Sequence, residues 1–489
     1  ARCRLVATGA RAARRRHRAA ASGSRPPARV CLRRPAALLA AVLTLGLAVP
    51  AADAQELIAG GEASVSPSVT LSPRLQDPIL PGLRTEYRAL MAVYGDLAEL
   101  STRLDVWHET PVPGEPTLEA VGVALDELRL TIYGGSSLVF DVGRFRYQPG
   151  RALLVSPNDY YTTLQFDRLI RGDLEDATRA NTLAAARLFL GEHYIALAFM
   201  PSPNVPQLVE PGSIWIPRFP LDRTIDDPDL SPDPVTLGER FAEPTRPLTE
   251  HRPLYERVSG GIEAGTTLGA VDLSLLYYHG IDPAPVPRAR IELPGEQPGT
   301  YDLYLAPDEA VIDSFGLVAE AFLGPATLWL DAALMPRRTL VTTTVDPVTL
   351  HTALITAPTL TGVLGASYRL TRPNLLLFAE YYAGHAFLPA ADVGETVLLP
   401  AFSSHLALSS TLTLGAEARW SLTTAGVLAV PEPLAPGDAS AVVTAEAAYA
   451  ASDALRVSLS APLFVGGPES AFGQYRDIYT VVGSVRYRF

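Results

Sequence analysis

Tyr479-Thr-Val-Val-Gly-Ser-Val-Arg-Tyr-Arg-Phe489 is the stretch from which the fold is read. Side chains of an extended strand point alternately to its two faces. Tyr479, Val481, Gly483, Val485, Tyr487 and Phe489 therefore share one face. Thr480, Ser484, Arg486 and Arg488 share the other, with Val482 the exception. A strand that is apolar outside and charged inside, about one bilayer crossing long, predicts the closing strand of a transmembrane antiparallel β-barrel.

This ending resembles the C-terminal signature of Gram-negative outer-membrane proteins, with Tyr487 and the terminal Phe489 as its assembly signal. The resemblance implies that the outer-membrane barrel-assembly machinery and the lipid bilayer are partners, and that the chain resides in the cell outer membrane.

The other end agrees. Arg33-Arg34 precede the apolar run Ala36 to Val49, followed by Pro50-Ala51-Ala52-Asp53-Ala54. This order predicts a secretory signal cleaved after Ala54. The run is too short for the roughly 20 residues of a helical span. Residues 1–54 are thus upstream sequence plus signal, 55–82 a tail, plug or first strand, and 83–489 the barrel.

Beyond Ala54 the chain keeps 29 of its 40 basic residues, all Arg, against 51 of 52 acids, a net charge near −22. That balance argues against a nucleic-acid partner. Both cysteines, Cys3 and Cys31, precede the apolar run, so the remainder has no disulfide framework and no Cys-based metal site. No later apolar stretch approaches 18 residues, and alternation continues from about Leu83 to the end.

Leu100, Thr102, Leu104 and Val106 oppose Glu99, Ser101, Arg103 and Asp105. Leu128, Leu130 and Ile132 oppose Glu127, Arg129 and Thr131, and Gly134-Gly135 leads into Leu138, Phe140 and Val142 against Asp141. Paired segments recur at 254–265 with 268–279, 312–323 with 326–335, 359–370 with 374–385 and 441–450 with 454–463, joined by short turns. Connections between pairs are long: 201–253 with its 12 prolines, then 281–311, 336–358 and 386–400. So many prolines exclude central strands. The 201–253 stretch is expected outside the cell or folded into the lumen. Short turns at one end and long loops at the other predict about 16 strands, with 14 or 18 also compatible.

Polar parity gives the lumen inventory. Its acids are Glu99, Asp105, Glu127, Asp141, Glu263, Asp272, Glu320, Asp331, Glu380, Glu417 and Glu446. Its arginines are Arg103, Arg129, Arg179, Arg187, Arg257, Arg369, Arg419, Arg456, Arg486 and Arg488. One Arg facing lipid near the midplane costs about 2–4 kcal/mol. Ten would exceed the roughly 5–15 kcal/mol stability of an ordinary fold, so this face meets water or protein. About 16 strands leave an aqueous channel.

Val142-Gly-Arg-Phe-Arg-Tyr-Gln-Pro-Gly-Arg151 and Val155-Ser-Pro-Asn-Asp-Tyr-Tyr161 stand apart. Parity breaks at Gly143–Arg146, where a bulge is expected, and Asn158-Asp159 after Pro reads as a turn. The stretch is similar to the G-R-x-x-x-x-x-G … N-P-x-D segment of some large porin-like barrels. Those carry an aromatic and glycine where this chain has Gln148-Pro149-Gly150, and Asn-Pro where it has Pro157-Asn158. The resemblance implies solute contacts at Arg144, Arg146, Arg151 and Asp159.

None of the later histidines forms H-E-x-x-H, and G-x-S-x-G is absent, which argues against an enzyme. His279 and His385 follow aromatic pairs and read as interfacial. No cofactor is implied. The reading is a channel passing small hydrophilic solutes. A hydrophobic-solute transporter and a surface adhesin or structural barrel are the alternatives.

Overall fold

The computed structural model describes residues 54–71, 79–95, 97–109, 121–152, 155–164, 178–203, 224–225, 235–239, 258–283, 286–292, 301–308, 310–345, 350–388, 396–397, 404–415, 417–430, 439–468 and 470–489. Residues 1–53, where a secretory signal is expected, most of 201–253 and Arg257 lie outside these residues.

Eighteen strands form one closed antiparallel sheet, the upper end of the range expected from the sequence. They are β1 (Ala54–Leu71), β2 (Ile79–Gly95), β3 (Ala98–Glu109), β4 (Val121–Gly134), β5 (Leu138–Phe145) and β6 (Asn181–Leu190). Then follow β7 (His193–Met200), β8 (Ser259–Leu268), β9 (Val271–Ile281), β10 (Val311–Leu323), β11 (Ala326–Val345) and β12 (Leu350–Leu370). The last six are β13 (Asn374–Ala386), β14 (Ser404–Leu414), β15 (Trp420–Ala429), β16 (Ser440–Ala450), β17 (Leu455–Gly466) and β18 (Tyr479–Arg488). Each strand pairs with its sequence neighbours, and β18 closes the ring on β1 with Val485 opposite Val65 and Tyr479 opposite Leu71. Closure leaves this ring no unpaired edge.

Among the described residues, the tight turns lie at one end of the barrel. Gly135, Gly191, Gly269 and Gly324 serve them with positive φ. The opposite end carries the long connections. There, strands 286–292 and 301–308 pair with each other, and 301–308 runs parallel to 235–239, which also pairs with 224–225. Two connections far apart in sequence thus share a small four-stranded sheet. The loop expected at 336–358 is instead a continuation of β11 and β12 beyond the ring. A register shift between Met335 and Arg338 accommodates Pro336, whose missing N–H cannot serve a regular ladder. Residues 396–397 then pair with Thr342 and Thr343.

The outward face is a belt of exposed large hydrophobics on every side of the ring. Val65, Tyr87, Leu197, Leu275, Phe315, Leu364, Leu408, Leu459 and Val481 are examples. An apolar surface of this extent has no place against water. Tyr479, Tyr487 and Phe489 belong to it, as the alternation of the last strand requires.

The inward face is polar over most of its area, but one sector is packed. Phe145, Leu183, Ala185, Ala198, Met200, Tyr278, Ile312, Ala333 and Met335 of β5–β11 bury against Tyr160 and Tyr161. Those two tyrosines come from the chain after β5, which turns into the barrel. A second, smaller cluster of Phe464, Tyr475 and Ile478 seats the short 3₁₀ turn Gly473–Tyr475 near the long-connection end.

Candidate functional site

The lumen takes its character from the segment 146–164 and from the wall that receives it. Near the end of β5, Gly143 adopts φ 136°, and an added Cβ there would run into the Leu128 carbonyl of β4. The pairing of β5 with β4 and β6 keeps its register through this point, so the bulge expected at Gly143–Arg146 is absent from it. The irregularity sits one strand earlier. Arg103 faces Glu127 and Leu104 faces Leu125, leaving Asp126 as the extra residue of a bulge in β4. A bulge breaks strict alternation, and here both Asp126 and Glu127 reach the same guanidinium. Arg146 donates to Asp126 at 2.8 Å and also contacts Glu127.

From Arg146 the chain crosses to the β8–β11 wall. Asp331, fully buried, accepts three hydrogen bonds on Oδ2: from the Arg151 N–H (2.8 Å), the Ala152 N–H (3.0 Å) and the Ser156 hydroxyl (2.8 Å). The Asn158 amide donates to the Ala332 carbonyl at 3.2 Å. Its Oδ1 lies against Gly316, where any Cβ would collide with it. The wall is therefore notched for this side chain. Tyr160 bonds Ser314 at 2.6 Å and stacks on Tyr278, and Tyr161 meets Tyr278 edge to face. Burial holds both phenols far above their ordinary range, so their hydroxyls remain protonated. Tyr147 donates to Glu263 at 3.1 Å, and Tyr194 donates to the same carboxylate. With apolar packing and directional bonds together, the segment is a docked part of the wall.

The residues singled out from the sequence fall into three groups. Arg103, Asp105, Glu127, Arg129, Asp141, Arg146, Arg187, Glu320 and Asp331 face inward, as does Glu380, which accepts from the Trp329 indole at 2.9 Å. Arg129 pairs with Asp141 at 2.8 Å and lies over the Phe145 ring. Arg187 lies over the Tyr194 ring, and Arg151 pairs with Glu320 at 2.9 Å. Arg144 donates to the Asp126 carbonyl and Asp159 ties its own turn, accepting from Thr162 and from Gln148. Arg369 shares the inward parity of β12 but is exposed toward the short-turn end. Glu417 and Arg419 are a correction: they occupy the turn between β14 and β15 and pair with each other at 2.5 Å. Strand parity does not extend into a turn, which is why the pattern misplaces them.

Four participants escape the parity reading. Asp126 does so because its bulge shifts it onto its neighbour's face. Arg84, Glu86 and Arg88 of β2 do so because the inventory of inward charges begins only at Glu99 of β3. They join the others in one row: Arg84–Glu86 (3.6 Å), Glu86–Arg88 (3.8 Å), Arg88–Asp105 (3.3 Å), Asp105–Arg103 (3.3 Å), Arg103–Asp126 (3.4 Å), Asp126–Arg146, and Arg146–Glu127. The signal for Asp126 was in the sequence, as two adjacent acids inside an otherwise alternating strand.

Around the rest of the ring the inward face is mostly small and hydroxyl-bearing. Ser66 bonds Ser484 (3.2 Å), Thr70 bonds Thr480 (3.1 Å) and Thr411 bonds Thr423 (3.2 Å). Charges in this sector come in groups of both signs: Arg456 with Glu446 (3.0 Å), and Glu62 with Arg486 (3.1 Å) and Arg488 (3.3 Å).

No protein-family model matches the chain, and no curated protein matches it. Solved structures of similar shape include Pseudomonas aeruginosa OccK8 (OprE), at 9% identity over 89% of this chain and 99% of that one, with a TM-score of 0.45. A triple mutant of the Rhodopseudomonas blastica porin matches at 10% identity, covering 89% of this chain and 100% of that one, with a TM-score of 0.35. Salmonella typhi OmpF in complex with daunomycin matches at 9% identity, covering 88% and 97%, with a TM-score of 0.39.

Proposed function

We propose that this chain is an outer-membrane channel through which small hydrophilic solutes diffuse passively. The observation that carries the reading is the inversion of a soluble fold. Large apolar side chains line the outside of a closed eighteen-stranded ring, and arginines, carboxylates and hydroxyls line the inside. Rings of 16–18 strands are wide enough to keep water in the lumen. The short-turn end then faces the periplasm and the long connections face outward.

The signal peptide, delivery by the assembly machinery and placement in the outer membrane belong to the same proposal. So does a weak cation preference at the mouth, supported by the acid excess of the chain. The lumen has charges in groups of both signs, and a single-sign ring, which would give strong ion selectivity, is not formed among the described residues. The hydrophobic-solute alternative is disfavoured by this polar interior and by Ala54–Leu71, which joins the wall where a plug was considered. The test is conductance of the purified protein in planar bilayers. Stepwise ohmic openings with mildly cation-selective reversal potentials are expected. Membranes that stay silent with correctly folded protein would sink the reading.

A further inference from the structure

Eight side chains form an unbroken row of alternating sign on the inward face of β2–β4 and the base of the inward segment: Arg84, Glu86, Arg88, Asp105, Arg103, Asp126, Arg146 and Glu127. Four positive and four negative groups cancel, so the row exerts no net pull on a simple anion or cation. Its side chains are partly accessible from the lumen, with exposures from 9% at Asp126 to 31% at Glu127. Neighbouring signs stand 2.8–3.8 Å apart wherever the pair is of ordinary length. The flanking wall from β14 round to β1 presents hydroxyl pairs, which donate and accept equally well.

Resting on the channel reading above, we infer that the lumen favours small zwitterions, such as free α-amino acids, over neutral or singly charged solutes of the same size. An α-amino acid carries its ammonium and its carboxylate on one carbon, so the two charges fall within one step of the row. Each then lies beside a wall group of opposite sign, while the hydroxyl wall replaces part of its hydration. A solute with one charge meets attraction and repulsion in alternation, and a neutral solute meets neither. Paired charges hold less of their water than a solute-free wall of like charges would, and in this lower-dielectric setting their local fields act more strongly than in bulk water. The bulge in β4 is the device that completes the row. Without Asp126 on the inward face, the contact of Arg103 with the next acid of the row would be lost.

The test uses proteoliposome swelling with alanine and with lactamide, a neutral molecule of nearly equal size. Alanine is expected to enter about threefold faster than lactamide. The paired substitution Arg103→Gln with Asp105→Asn keeps the net charge unchanged and interrupts the row at its centre. It should bring alanine entry down to the lactamide rate measured in the same variant. Equal rates for the two solutes in the wild type would overturn the inference while the channel stands, as would a preference that survives the paired substitution. Lactamide entry no faster than in protein-free liposomes would instead remove the channel itself. The wild-type comparison requires no variant, and heat-modifiable migration on gels verifies that the paired variant has folded.

Discussion

Glu62 of the first strand and Arg486 of the last lie 3.1 Å apart across the seam where the ring closes, and Arg488 shares the same carboxylate at 3.3 Å. One acid is thus shared by two arginines near the short-turn end. All three face water to some extent, so their contribution to stability is modest, about 1 kcal/mol or less. Their effect on permeation is larger. Glu62→Gln leaves two positive charges uncompensated at one end of the lumen, and reversal potentials under a salt gradient should move toward anions. An unchanged reversal potential would show that this seam lies outside the conducting path.

The same seam holds the terminal residue. The Gly61 N–H donates to the Phe489 carbonyl and the Phe489 N–H donates to the Gly61 carbonyl, both at 3.0 Å. The Phe489 ring lies over Gly61 so closely that any Cβ would overlap it. Gly61→Val should therefore displace the ring and destabilise the closed barrel by about 1–3 kcal/mol, the usual cost of overpacking. The readout is the urea midpoint in detergent and the fraction of heat-modifiable protein in the membrane. A variant folding as well as the wild type would mean that the ring's position is incidental.

Much of this architecture was legible because a barrel wall is governed by one short period. Tyr479 to Phe489 and Leu100 to Val106 alternate, and their strands stand where alternation puts them. Legibility fails where the period is interrupted. The Asp126 bulge is invisible to a strict two-residue count. A loop was expected from residue 336, yet β11 absorbs Pro336 in a register shift and runs on to Val345. The docking of the inward segment could not be read at all, because Ser156 and Asp331 are 175 residues apart and no local pattern links them. The Pro-rich 201–253 stretch drew attention as a lumen-folding candidate through its composition. Among the described residues, the segment that enters the lumen is 146–164.

A buried ion pair ties the residue that follows β9 to β11. Arg338 bonds both oxygens of Asp282, at 2.8 and 3.3 Å, with side chains 11% and 3% exposed. Removing one partner leaves a buried charge without compensation, which costs about 3–5 kcal/mol, whereas replacing both by apolar residues is close to neutral. Asp282→Asn should lower the urea midpoint markedly, and Asp282→Leu combined with Arg338→Met should recover most of the loss. If the single substitution costs no more than a surface pair, the pair is hydrated in solution.

Asp331 offers the most direct handle on the bore. Its Oδ2 is the common acceptor for Arg151, Ala152 and Ser156, and the carboxylate is sealed from solvent. Asp331→Ala removes all three bonds at once and leaves two partly buried backbone N–H groups without this acceptor. Each such orphan costs about 1–3 kcal/mol, enough to shift the segment away from the wall for part of the time. Tyr160 and Asn158 still hold the far side, so the ring itself should survive. Single-channel records are expected to show larger and noisier openings than the wild type, and Asp331→Asn, which keeps one acceptor oxygen, should fall between the two. Records for Asp331→Ala that match the wild type in amplitude and noise would mean that the tyrosine cluster alone holds the segment in place.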